Sequence, residues 1–111
     1  MQPLKDPICC TFKLYPMIIE MLAAKADPNN ISSAQLLRIF VGASYDLMHE
    51  NYIEPPRRGK KKMVNFRLTE KIKARIVELA HEWDRSQSDI LAILIWNGEL
   101  RTEHYISRRE A

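Results

Sequence analysis

From Cys9 to Leu14 the side chains alternate, with Cys10, Phe12 and Leu14 on one face and Cys9, Thr11 and Lys13 on the other. Period-two alternation of this kind predicts a short strand with one wet side. Pro16 follows at the first helical position, where its missing N–H costs nothing. Ile18, Ile19, Leu22 and Ala26 then recur at helical spacing until Asp27-Pro28-Asn29-Asn30 supplies turn chemistry. Ser32 with Gln35 forms a capping box, predicting a second, longer helix through Leu36, Leu37, Phe40, Val41, Ser44, Leu47 and Met48. Glu54-Pro55-Pro56 ends it, and the pattern starts again. Val64, Phe66 and Leu68 share one strand face, while Met63, Asn65 and Arg67 share the other. Thr69 is an N-cap with Glu70 beside the positive helix end. Ile72, Ile76, Leu79, Ala80 and Trp83 form the next apolar stripe, and Ser86 with Asp89 caps a last helix. That helix is almost wholly apolar from Ile90 to Trp96, so it must be buried on most sides, and Asn97-Gly98 closes it.

The restart is a repeat. Offset by 54 positions, Phe12 meets Phe66, Leu14 meets Leu68, Ile18 meets Ile72, Ser32 meets Ser86 and Leu37 meets Leu91, with no gap. A fixed internal period means one small unit used twice. Each unit is too short to bury a core alone, so the two must complete each other. The expected architecture is mostly α, with a two-stranded antiparallel ribbon built from one strand of each half. Four helices then pack beneath it. A lone six-residue strand would not be stable.

The 111 residues suffice for one compact domain, and an apolar fraction of 46% argues against wholesale disorder. No apolar run reaches the roughly 18–20 residues of a membrane helix, and no cleavable signal is visible. Cys9 and Cys10 are adjacent and staple no loop, which fits a reducing, intracellular setting. His49, His81 and His104 lie far apart, there is no CxxC, and neither a metal nor another cofactor is expected. No spacing groups a nucleophile with a base and no glycine-rich phosphate loop occurs, so catalysis and a small-molecule substrate are not expected. Trp83, Trp96, Tyr45 and Tyr52 sit in helical or edge settings that favour packing over stacking on bases.

Charge changes the picture. The net charge is +3, yet residues 1–56 carry four lysines and arginines against six aspartates and glutamates, leaving +5 for the remainder. Five cations fall within six residues: Arg57, Arg58, Lys60, Lys61 and Lys62. Such a block attracts polyanions, and by itself it reads equally well as a solvated linker. Pro55-Pro56 favours an extended segment, and about nine residues span up to roughly 30 Å. The wet ribbon face is the second candidate. Thr11, Lys13, Asn65 and Arg67 lie on it with no acidic residue on either strand. A two-stranded ribbon fits the major groove, where Asn pairs with adenine, Arg or Lys with guanine, and Thr with a base edge or a thymine methyl.

At these residues the chain resembles the ribbon-helix-helix DNA-binding proteins, the group of the Arc and MetJ repressors. The resemblance is strongest from Lys62 to Leu100, over Val-Asn-Phe-Arg-Leu-Thr-Glu and Arg85-Ser86-Gln87-Ser88-Asp89-Ile90. It implies base contacts by Asn65 and Arg67 and, through the repeat, by Thr11 and Lys13. It also implies phosphate contacts at the start of each second helix (Ser32 and Ser33, Ser86 and Gln87), a role that Arg57, Arg58, Lys60, Lys61 and Lys62 would extend. Its members are usually homodimers of one unit, whereas here the units are fused into a single-chain pseudo-dimer. The implied organisation is a first unit over 1–53, a linker over 54–62, a second unit over 63–100 and a tail over 101–111. Cys9 and Met63 take the first outward strand position, where a polar reader is common. Asp27 to Asn30 and Asp84 replace the glycine-containing turn usual between the helices. The implied function is sequence-specific binding of double-stranded DNA by a transcriptional regulator, a repressor first of all. Pseudo-dimers would have the option of associating on adjacent sites. Tandem units of this kind are similar to regulators of archaeal viruses, so the implied setting is the cytoplasm of a prokaryotic cell, with a viral source as one option. Two other readings stand beside it: an antitoxin that clamps a protein through Glu99 to Ala111, and an interaction module that does not bind DNA.

Overall fold

A computed structural model describes residues 7–43 and 52–98. The order is β1 (Ile8–Leu14), α1 (Pro16–Ala26), a single 3₁₀ turn (Asp27–Asn29), α2 (Ser33–Gly42), β2 (Lys62–Leu68), α3 (Glu70–Glu82) and α4 (Gln87–Asn97). The two strands form one antiparallel ribbon and the helices lie against one of its faces. Ser44, Tyr45, Leu47, Met48 and the tail after Gly98 lie outside the described residues.

Local chemistry accounts for each boundary. Pro16 opens α1 without any side-chain cap from Tyr15, as its fixed φ allows. Ser32, Thr69 and Ser86 each accept the amide three residues on, from Gln35, Ile72 and Asp89. The turns between helices use left-handed residues that are not glycine. Asn30 has φ of 53° and Asp84 of 52°, and short polar side chains tolerate that region best after glycine. Both turns close in the same way. Ile31 donates to the Ala26 carbonyl and Arg85 to that of Ala80, while Asn30 donates to Asp27 and Asp84 to His81. These pairs all differ by 54, as do both ends of the strands.

The strand starts depart from expectation. Each strand starts one residue early, so Lys62 belongs to β2 opposite Leu14 and not to the linker. Gly98 follows the last residue of α4, as expected, with an extended backbone (φ −70°, ψ 142°). Its need for glycine is steric: a Cβ would meet the Leu94 carbonyl oxygen at 2.5 Å and the Phe40 ring at 2.9 Å.

The core is common to both halves. Leu14 and Ile18 from one half and Leu68 and Ile76 from the other are fully buried, as is nearly all of α4 between Ile90 and Ile95. The contacts cross over: α4 packs on β1 and α1, and α2 on β2 and α3. Phe12 and Phe66 meet with ring centroids 6.3 Å apart. Lys25 of α1 closes the end of α4, donating to the carbonyls of Ile95 (2.7 Å), Trp96 (3.2 Å) and Gly98 (2.7 Å). That satisfies carbonyls a helix end leaves open and sets a cation at its negative pole. Ahead of the linker, Tyr52 stacks on Trp83 at 5.2 Å, and Asn97 exchanges hydrogen bonds with the Ile53 backbone. Arg85 pairs with Glu54, a hydrogen bond that holds the guanidinium pKa above its ordinary value. Among the described residues no helix is long and apolar enough to cross a membrane.

Two outcomes are expected. Fragment 1–56, deprived of β2, α3 and α4, should show no cooperative urea transition as a monomer; a sigmoidal transition from a monomeric fragment would mean that one half holds sufficient core. Gly98→Ala should destabilise the chain by about 1–3 kcal/mol through overpacking against Phe40. An unchanged urea midpoint would show that this close approach does not constrain the fold.

Candidate nucleic-acid interface

The outward side of the ribbon comprises Cys9, Thr11 and Lys13 of β1 and Met63, Asn65 and Arg67 of β2, all exposed. The register sets Cys9 against Arg67, Thr11 against Asn65 and Lys13 against Met63. Thr11 and Asn65 are also matched by the 54-residue offset, so the central pair of the ribbon is a residue and its own repeat equivalent. The other two pairs are not: Cys9 corresponds to Met63, and Lys13 to Arg67. Each end of the surface therefore holds one cation and one sulfur-bearing side chain, on opposite strands.

The central pair is joined. The Thr11 hydroxyl donates to Asn65 Oδ1 at 2.6 Å. Lys13 N–H and the Arg67 carbonyl both bond to helices rather than to the facing strand, so alternate pairs of this ladder, Thr11 and Asn65 among them, are the non-hydrogen-bonded kind. Such pairs bring Cα atoms to about 4.5 Å and side chains close. With Oδ1 anchored by Thr11, the Asn65 amide keeps its Nδ2 donor and one Oδ1 lone pair. Adenine offers the matching acceptor and donor along its major-groove edge. The expected readers of separate half-sites, Thr11 and Asn65, are thus combined into one group at the centre.

Two helices hold the ribbon by its edges, each in a different way. Ser88 Oγ of α4 accepts from Lys13 N at 3.1 Å. On the other edge Arg38 Nη1 of α2 donates to the Arg67 carbonyl at 2.8 Å, and partial burial lowers the Arg38 pKa without threatening a guanidinium's charge. The repeat equivalent of Ser88 is Ala34 and that of Arg38 is Ala92, so neither clip is available twice. Sequence reasoning passed over both residues. Their signal was the breakdown of the repeat at two positions inside otherwise matched helices.

Of the anticipated phosphate anchors, Ser32 and Ser86 are exposed and spend their hydroxyls as caps. A cap serves only one of the first-turn amides, so those at Ser33 and Gln87 have no partner within their helices. The Gln87 side chain is engaged: its Oε1 accepts from Lys73, whose ammonium also lies 5.0 Å from the centre of the Phe12 ring. The two helix starts differ in charge. Asp89 lies in the first turn of α4, whereas that of α2 has no acidic residue. Arg57, Arg58, Lys60 and Lys61 are exposed on the segment leading into β2, with Lys62 its first residue. Lys61 lies 5.3 Å from the centre of the Tyr15 ring.

Cys9 is exposed and Cys10 buried, both as free thiols, and among the described residues no three His, Cys, Asp or Glu side chains cluster as metal ligands would. Comparison with protein-family models gives no match, and comparisons with curated proteins and with solved structures give none either.

Ser88→Ala should remove the acceptor of the Lys13 amide. Its hydrogen exchange is expected to quicken about fivefold, the factor for roughly 1 kcal/mol. An unaltered rate would mean that α4 does not hold this edge.

Proposed function

We propose that the chain binds double-stranded DNA sequence-specifically, laying its ribbon in the major groove, and serves as a transcriptional regulator. Repression is the simplest use, since it needs only occupancy of the site. The observation that carries this reading is the outward ribbon face. It presents two cations, a fixed Asn65 amide and no carboxylate over its six residues, and a ribbon of two strands has the width of the groove. An ordinary solvated sheet face would have no reason to exclude acids.

In this reading the two halves are ribbon-helix-helix units in a one-chain pseudo-dimer. Support comes from the offset of 54 that relates strands, capping residues and turns, and from the central pair that strand register and repeat share. Arg67 and Lys13 contact guanines, Asn65 with Thr11 contacts the central base pair, and the starts of α2 and α4 approach the flanking phosphates. The basic segment adds sequence-independent attraction.

A gel-shift titration at two salt concentrations, with selected and random duplexes, tests the proposal. Specific duplex should bind more tightly at both, with affinity for random DNA falling more steeply as salt rises. Arg67→Ala should cost about 1–3 kcal/mol on the selected site and little on random DNA. Equal loss on both would remove Arg67 from base reading. No binding to either duplex would end the proposal.

A further inference from the structure

The repeat makes the two ends of the ribbon comparable position by position, and they are chemically unequal. At the end where β2 begins, Lys13 faces Met63, and residues 57–61 bring four exposed cations. Arg57 and Lys61 line one cleft together with Lys13, Ser88 and Asp89. The basic segment therefore lies beside the start of α4, in a cleft whose acids are Asp89 and the Arg85-paired Glu54.

At the opposite end Arg67 faces Cys9. The start of α2 there has no acidic residue in its first turn, and Arg38 steadies the Arg67 backbone. The segment at the equivalent repeat positions, 3–7, reads Pro-Leu-Lys-Asp-Pro, whose two charges cancel. One end is rich in exposed cations. The other offers a planar guanidinium on a braced strand.

We propose that the chain binds duplex DNA in one fixed orientation, with residues 57–61 on the phosphates of one flank and Arg67 reading bases on the other. This rests on the DNA-binding reading above and adds a direction to it. Lysine and arginine on a mobile stem neutralise phosphates whatever the sequence. Arg67 can bond guanine bidentately in a fixed plane, whereas Lys13 acts as a point charge. Turning the protein about the central Thr11–Asn65 pair exchanges Arg67 with Lys13 and moves the basic segment to the wrong flank. The reversed complex is then weaker by roughly ten- to hundredfold. The target is accordingly lopsided, with one informative half and one flank held without regard to sequence.

Duplexes enriched from a random pool by the full chain, followed by hydroxyl-radical footprinting on the best of them, provide the test. The expected consensus has unequal halves, with backbone protection reaching further beyond the less informative one. The variant Arg57→Ala/Arg58→Ala/Lys60→Ala/Lys61→Ala should lose that extension alone, with the log–log salt slope falling by about 0.9 for each phosphate no longer neutralised. Arg67→Lys should level the two halves and leave the extension in place. A consensus of two equal halves with equal protection would overturn the proposal, as would loss of protection on both flanks in the quadruple variant. A pool in which no sequence is enriched overturns the underlying reading as well, and the missing consensus tells that failure apart.

Discussion

The pairing of β1 with β2 is the constraint on which the rest depends. Seven residues of extended chain cannot hold their shape in water, and each strand finds its partner 54 positions away. Once paired, the strands turn Phe12, Leu14, Phe66 and Leu68 toward the helices and set six side chains outward. A slip of one residue would exchange those two sets, burying Lys13 and Arg67. Burial on the inner face thus sets the register that aligns the outer one. Closing a loop of this length costs entropy, which the crossed helix packing and the ribbon repay jointly.

The deviations from the repeat are as informative as the matches. Asn30 and Asp84, or Ser32 and Ser86, show the same backbone solution reached twice. Ser88 against Ala34 and Arg38 against Ala92 show where one solution sufficed. A hydroxyl close to β1 accepts a strand N–H, while a long guanidinium reaches the β2 carbonyl. Duplication alone gives a symmetric frame. These few residues give it a direction.

The helix ends are locked by a different kind of contact. Lys25 caps the end of α4 from the other half, and Gly98 lets the chain pass against Phe40. Tyr52, Ile53 and Glu54 are then tied to Trp83, Asn97 and Arg85. The segment that carries the cations consequently leaves from a fixed point, and only about seven residues separate that anchor from β2.

Alternation, caps and turn residues determined the strands, the helix starts and the outward face from the sequence alone, because each depends on chemistry within a few residues. The repeat added the pairing partner, since a duplicated edge strand has an obvious mate. What the sequence could not supply was whatever depends on distance across the fold. Thr11 and Asn65 became one hydrogen-bonded pair only through the register, and Ser88 and Arg38 became clips only when their helices crossed the ribbon edges. Gly98 looked like an ordinary helix terminator until Phe40, nearly sixty residues earlier in the chain, took the place of its side chain. Tertiary structure decided these because hydrogen bonding and van der Waals exclusion act over a few ångströms of space, and sequence separation does not measure space.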